Sequence, residues 1–149
     1  MWAPIPRTGE KKGSKRSLMV DGSGVPLSLV AKAANVNDLY LLAGTVNSRV
    51  LEPAAGCEQH LCLDLGYRCK MITPWAEAKG FILHLSKSKP MIMEPGKKSR
   101  RWVVERTASW LNRYRKLLVR FEKKTDNYQA LLHLACALMC WRRVVSIYG

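Results

Sequence analysis

The chain has 149 residues, enough for one domain with a single ordinary core. Its apolar share of 48% supports a folded body, and its net charge of +14 excludes a charge-balanced surface and points to a polyanionic partner. No apolar signal-peptide core opens the chain, and the longest apolar stretch, residues 130–141 with His133 inside it, is too short for a bilayer. A cytoplasmic protein with no membrane partner is expected.

Residues 1–15, rich in Pro, Gly and Lys, read as an irregular basic N-terminus. Two β-type runs, 17–20 and 25–31, flank Asp21-Gly22-Ser23-Gly24, a hairpin signal. Residues 38–46 read as a helix capped by Asn37 or Asp38. After a loop at 53–56, residues 60–63 form a short strand ending at Asp64-Leu65-Gly66. A helical turn near 75–79 and a strand at 81–85 follow. Residues 86–99, with two prolines and several lysines, read as an exposed loop, and 101–116 and 126–143 as two long helices. This order of elements predicts an α/β sandwich. The second long helix is apolar on nearly every side (Leu131, Leu132, Leu134, Ala135, Ala137, Leu138, Met139), so it is expected to be the most buried helix or partly an interface.

Cys57, Cys62, Cys69, Cys136 and Cys140 are odd in number and form no CxxC pair, which argues against a zinc site or a disulfide framework. Cys136 and Cys140 read as buried reduced thiols, and His133 as a satisfied core histidine. His60, His84 and His133 share no ligand spacing.

The charge is uneven. Residues 97–124 carry 11 basic and 2 acidic groups, while residues 50–96 carry 5 of each. A solvated helix face is one reading of such a run. The acids that normally balance such a face are missing, which favours nucleic acid. The candidate DNA contacts are Lys97, Lys98, Arg100, Arg101, Arg106, Trp110, Arg113, Arg115 and Lys116. Arg106, Trp110 and Arg113 form a stripe at helical spacings of four and three, suited to phosphate clamping and base stacking. Alternatively, Trp110 packs in the core and the arginines are solvated.

Two carboxylates stand out. Asp64 follows an apolar strand, where α/β folds place active-site groups, although Asp64-Leu65-Gly66 also fits a plain turn. Glu105 lies early in a basic helix with Ala108, Ser109 and Asn112 on its side, small groups that let a metal or substrate approach. The helix dipole alone would also favour an acid there.

Taken in order, several segments resemble the C-terminal part of an insertion-sequence DDE transposase of the RNase H-like superfamily. They are Gly13-Ser14-Lys15-Arg16 through Val20-Asp21-Gly22-Ser23-Gly24-Val25-Pro26-Leu27, Ala34-Asn35-Val36-Asn37-Asp38, and Leu61-Cys62-Leu63-Asp64-Leu65-Gly66-Tyr67. Val103-Val104-Glu105-Arg106-Thr107 with Trp110-Leu111-Asn112-Arg113 follows, then Leu117 through Lys123 into Ala130-Leu131-Leu132-His133-Leu134-Ala135. The resemblance implies three carboxylates holding two divalent ions, usually magnesium, which activate water or a DNA 3′-hydroxyl in strand cleavage and joining at the element ends. Asp64 matches the second carboxylate and Glu105 the third, and both would be catalytic and metal-binding. Arg106 and Arg113 match basic positions similar to those that contact DNA.

The family's first carboxylate lies on a strand upstream of anything in this sequence, and Asp21 matches a hairpin acid instead. Leu65 and Arg68 replace the basic and acidic residues usually flanking the second carboxylate, and residues 69–96 match poorly. The expectation is therefore an incomplete RNase H-like domain over residues 16–145, with flanking helices and two long C-terminal helices. It would lack the first, central strand, because Pro4 and Pro6 cannot fill one. Such a chain would be inactive alone and would need an upstream polypeptide, or be a decayed remnant. A non-enzymatic DNA-binding or interfering fragment, pairing with an intact transposase subunit, is the alternative. A basic structural or ribosome-associated protein has only its charge in its favour.

Overall fold

The computed structural model describes residues 13–53, 56–86 and 101–149. Strands β1 (Ser14–Val20) and β2 (Pro26–Ala33) form an antiparallel pair in which Leu18 faces Leu29 and Ser17 faces Val30, with a register shift between Met19 and Val20. Pro26 opens β2, a strand position that tolerates a residue without an N–H. In the connecting turn the Asp21 carboxylate accepts the Ser23 and Val25 N–H groups, both at 2.8 Å, and Gly24 adopts a φ of +88°.

Helix α1 (Asp38–Asn47) starts where the Asn37 side chain accepts the Leu39 N–H. Strands β3 (Gln59–Asp64) and β4 (Phe81–Ser86) pair in parallel, with Leu61 opposite Leu83, through a crossover holding a 3-10 turn (Leu65–Tyr67) and α2 (Ile72–Ala78). Helices α3 (Arg101–Asn112), α4 (Arg115–Leu118) and α5 (Thr125–Tyr148) complete the chain.

Successive strand residues point to opposite faces, so β1 contributes to two cores. Leu18 packs into one made of Leu29 and Ala31 of β2, Leu111 of α3, Leu117 of α4, and Tyr128, Leu132 and Ala135 of α5. Met19 packs into the other, where Leu42 and Val46 of α1 meet Leu61 of β3, Ile72 and Ala76 of α2, and Phe81 of β4. Helix α1 is locked to β2 by the buried Ser28, whose hydroxyl donates to the Thr45 carbonyl at 2.7 Å.

The described strands form two separate two-stranded sheets, one of β1 and β2 and the other of β3 and β4. The arrangement is α/β as expected, with helices against the sheets. The β3–β4 pair is covered on the face holding Leu61 and Phe81, while His60, Cys62, Ile82 and His84 on the opposite face are exposed. Parallel pairs are normally covered on both faces.

The C-terminal half differs from the sequence expectation in three ways. The helix expected over 101–116 ends at Asn112, because Tyr114 turns to an extended conformation (φ −79°, ψ 108°) before the four-residue α4. Helix α5 runs five residues past its expected end at 143, so its 24 residues are long and apolar enough to cross a membrane. It is not the most buried helix. Tyr128, Leu132 and Ala135 are covered, whereas Leu134, Leu138, Trp141, Val144, Val145, Ile147 and Tyr148 are exposed: only one face of the helix packs on β2, and the last two turns carry no buried residue. His133 is likewise exposed rather than in the core, although its ring nitrogen lies 3.1 Å from the Leu29 carbonyl.

The inner face of α5 also closes the outer edge of β2. Gln129 accepts the Ala31 N–H at 2.8 Å and donates to the Leu29 carbonyl at 2.7 Å, so its amide stands in for the peptide of a neighbouring strand. Gln129→Ala leaves both backbone groups without these partners and is expected to destabilise the protein by about 1–3 kcal/mol in urea unfolding followed by circular dichroism. Burial, with Cys140 beside it adding to the effect, pushes the half-buried Cys136 thiol up to about 11. At pH 8 on the order of one thiol in a thousand is then thiolate. Iodoacetamide at that pH is expected to label the exposed Cys57 and Cys62 and to spare Cys136, with its labelling rising about tenfold per pH unit up to about 11, as read by peptide mass mapping.

Candidate functional site

Asp64 is the last residue of β3 and is half-buried. Its Oδ1 accepts the Leu65 N–H at 2.7 Å, so the carboxylate caps the 3-10 turn that follows. The turn reading of Asp64-Leu65-Gly66 is what the structure shows, with the carboxylate held at the strand end. The Tyr67 hydroxyl is held above its ordinary range, first by burial and then by the charges of Asp38 and Asp64.

Glu105 is on an exposed side of α3, one turn in from the helix start. Asn112 shares that side at helical spacing, and its Oδ1 accepts from Arg16 of β1 at 2.9 Å. Arg16 was not among the sequence candidates, because only the packing of α3 across β1 brings it there.

A quarter-turn around α3, Trp102, Arg106, Trp110 and Arg113 form a continuous stripe. The Arg106 guanidinium lies between the two indoles, 4.5 Å from the Trp102 ring centre and 4.9 Å from that of Trp110. One of its nitrogens donates to the Ser23 carbonyl at 2.7 Å, while Nε is buried without a hydrogen-bond partner among the described residues. The next residue, Thr107, is fully buried and donates to the Gly24 carbonyl at 2.8 Å. Arg106 and Thr107 therefore dock the β1–β2 turn onto α3, and Trp110 stacks on a cation instead of filling the core.

Between that turn, α3 and α5 lies a cleft of about 840 Å³, lined by the stripe together with Arg142 and Arg143. Sequence reasoning missed these two arginines. Their signal was their position in the same helical sector as Met139 and Ser146, which also line the cleft. Arg115 and Lys116 lie elsewhere, beside an apolar groove between α4 and α5. Arg101 begins α3, and Lys97, Lys98 and Arg100 lie outside the described residues.

Asp64 and Glu105 do not line the arginine cleft. Among the described residues no group of three or more His, Cys, Asp or Glu side chains gathers to hold a metal ion. The exposed His60 and His84, unrelated by spacing in the sequence, sit on adjacent strands with their ring nitrogens 2.9 Å apart. Strand register is what joins them, and no sequence pattern announced it.

Comparison with known proteins gives two matches. The family described as transposase DDE domain matches residues 61–142, a span that includes both Asp64 and Glu105. The chain is also similar to the putative transposase for insertion sequence element IS402 of Burkholderia cepacia, 32% identical over 145 residues, covering 93% of this chain and 67% of that protein. No solved structure matches.

The docking of the turn on α3 depends on the absence of a side chain at Gly24. A Cβ there would lie 2.8 Å from an Arg106 guanidinium nitrogen and 3.0 Å from the Thr107 hydroxyl, at a φ that L-residues rarely adopt. Gly24→Ala is expected to lower stability by about 1–3 kcal/mol, measured by thermal unfolding, and to change the tryptophan fluorescence as the indole–guanidinium stack shifts.

Proposed function

Because the chain belongs to the DDE transposases of insertion sequences, we propose that it binds the DNA ends of its element and supplies two of the three carboxylates needed to cut and join strands. Asp64 and Glu105 are those two. The observation that carries the reading is the family match across residues 61–142, a span that includes both acids, Asp64 at a strand end and Glu105 in an early helix turn.

DDE transposase domains use divalent metal ions. The donor set fits in part, since Asp64 and Glu105 are two carboxylates of the kind the ions need and no group of three or more His, Cys, Asp or Glu side chains gathers among the described residues. Magnesium, the expected ion, would be held by Asp64 and Glu105 only with a further carboxylate from outside. Once bound, divalent ions would help to generate the attacking hydroxyl and stabilise the leaving oxygen. The chain's own contribution is positional. The Leu65 N–H orients the Asp64 carboxylate, α3 carries Glu105 beside the cationic stripe, and the basic residues from Lys97 to Lys116 hold phosphates.

Support for an incomplete catalytic unit comes from the sheets. β1 pairs only with β2, and β3 only with β4, so each has a side without a strand partner among the described residues. An upstream polypeptide ending an apolar strand in an acid would supply a strand partner and the third carboxylate. Acting on chromosomal DNA, the protein would work in the cytoplasm at the nucleoid.

A second reading, a non-enzymatic interfering protein, draws on α5. Leu134, Leu138, Trp141, Val145 and Tyr148 are exposed and recur at alternating spacings of four and three, the pattern of a helix-pairing seam. Such a seam would join an intact transposase subunit.

The purified 149-residue chain with magnesium is expected to leave duplexes carrying the element's terminal repeats uncut. Adding the upstream polypeptide should produce cleavage that falls at least about 100-fold with Asp64→Ala or Glu105→Ala. Cleavage by the chain alone, or restored cleavage that tolerates both substitutions, overturns the catalytic reading. A reduced transposition frequency when the chain is co-expressed with intact transposase, without any restored cleavage, selects the interfering reading.

A further inference from the structure

We propose that the cleft between the β1–β2 turn, α3 and α5 is a binding site for a single DNA strand, separate from the carboxylates and built in part by Arg142 and Arg143. This rests on the reading of the chain as DNA-binding and names the form of DNA that one part of it takes.

Four features carry the inference. The first is charge: among the described residues, every ionisable group lining the cleft apart from the Tyr114 hydroxyl is an arginine, Arg106 and Arg113 from α3 and Arg142 and Arg143 from α5. The nearest acid of the turn, Asp21, is engaged by the Ser23 and Val25 N–H groups. Second, Arg113, Arg142 and Arg143 are exposed and form no ion pair among the described residues, so no described acid balances their charge. A solvated helix face would normally carry acids at neighbouring turns, and α5 has only Asp126, far along the helix.

The third feature is the wall. Trp102 and Trp110 stack on either side of the Arg106 guanidinium, and Trp102 remains about half exposed. An indole beside unbalanced guanidiniums suits a stacked base and its phosphates. The fourth is size. About 840 Å³ is the scale of a pocket that encloses one small molecule, which accommodates a nucleotide or two and is too small for a duplex.

Arg142 and Arg143 lie on the exposed last turns of α5, where substitution leaves the cores intact. The test is fluorescence anisotropy with a labelled single-stranded oligonucleotide and the matching duplex. It is run in EDTA across a series of KCl concentrations, so that no metal-held contact contributes. R142A/R143A is expected to weaken single-strand binding roughly 10- to 100-fold at 0.1 M salt and to reduce the log–log salt slope by about 1.4, the value for two lost phosphate contacts on a single strand. The duplex should lose less, R142K/R143K should restore the slope, and Trp102→Ala should remove the quenching of tryptophan fluorescence by the single strand. An unchanged slope in R142A/R143A, or equal losses for single strand and duplex, overturns the proposal. Because these readouts need neither metal nor cleavage, they fail independently of the carboxylate assignment, which the complemented cleavage assay tests.

Discussion

No hydrogen-bonded ladder joins the two halves of this protein among its described residues. The β1–β2 and β3–β4 pairs each end after two strands, and a two-stranded ribbon is marginal in water by itself. The halves hold together through side chains, chiefly those of α1. Leu42 and Val46 bury against Leu61 and Phe81 of the parallel pair, while Ser28 ties α1 to β2. Among the described residues, packing and not backbone bonding joins the two pairs. The same constraint explains why the outer edge of β2 is sealed by a glutamine side chain, and why one face of the β3–β4 pair stays open.

Helix α3 connects this architecture to chemistry because it presents three different sides. Val103, Thr107 and Leu111 are buried, with Thr107 bonded to the β1–β2 turn. The side with Glu105 and Asn112 is exposed and touches β1 through Arg16. The side with Trp102, Arg106, Trp110 and Arg113 lines a cleft completed by α5. A helix turns about 100° per residue, so adjacent residues such as Glu105 and Arg106 serve different surfaces. Arg106 shows that a basic residue in such a stripe can be structural as well as cationic. It anchors the turn through Ser23 and still contributes its charge to the cleft.

Much of the fold was legible in the amino-acid order. The turn at Asp21-Gly22-Ser23-Gly24, the capped helix after Asn37, the apolar strand before Asp64 and the basic helix bearing Glu105 are all local patterns, and each element formed there. Local patterns also have limits. The break at Tyr114 and the length of α5 depend on what those residues pack against, and no periodicity records that. Exposed Leu134, Leu138, Val144 and Val145 of α5 read as core in the sequence, because leucines and valines look alike whether a strand covers them or not.

The residues themselves determined the charge of the basic segment, the identity of the two separated acids and the family to which their order belongs. The tertiary structure alone decided which cations share a cleft, bringing Arg142 and Arg143 to Arg106 across more than thirty residues of chain. It also decided that Gln129 would complete a strand edge and that His60 would meet His84. The physical reason is that side-chain type and spacing govern short-range conformation, whereas contacts between distant segments depend on how the cores pack around the strands that are present.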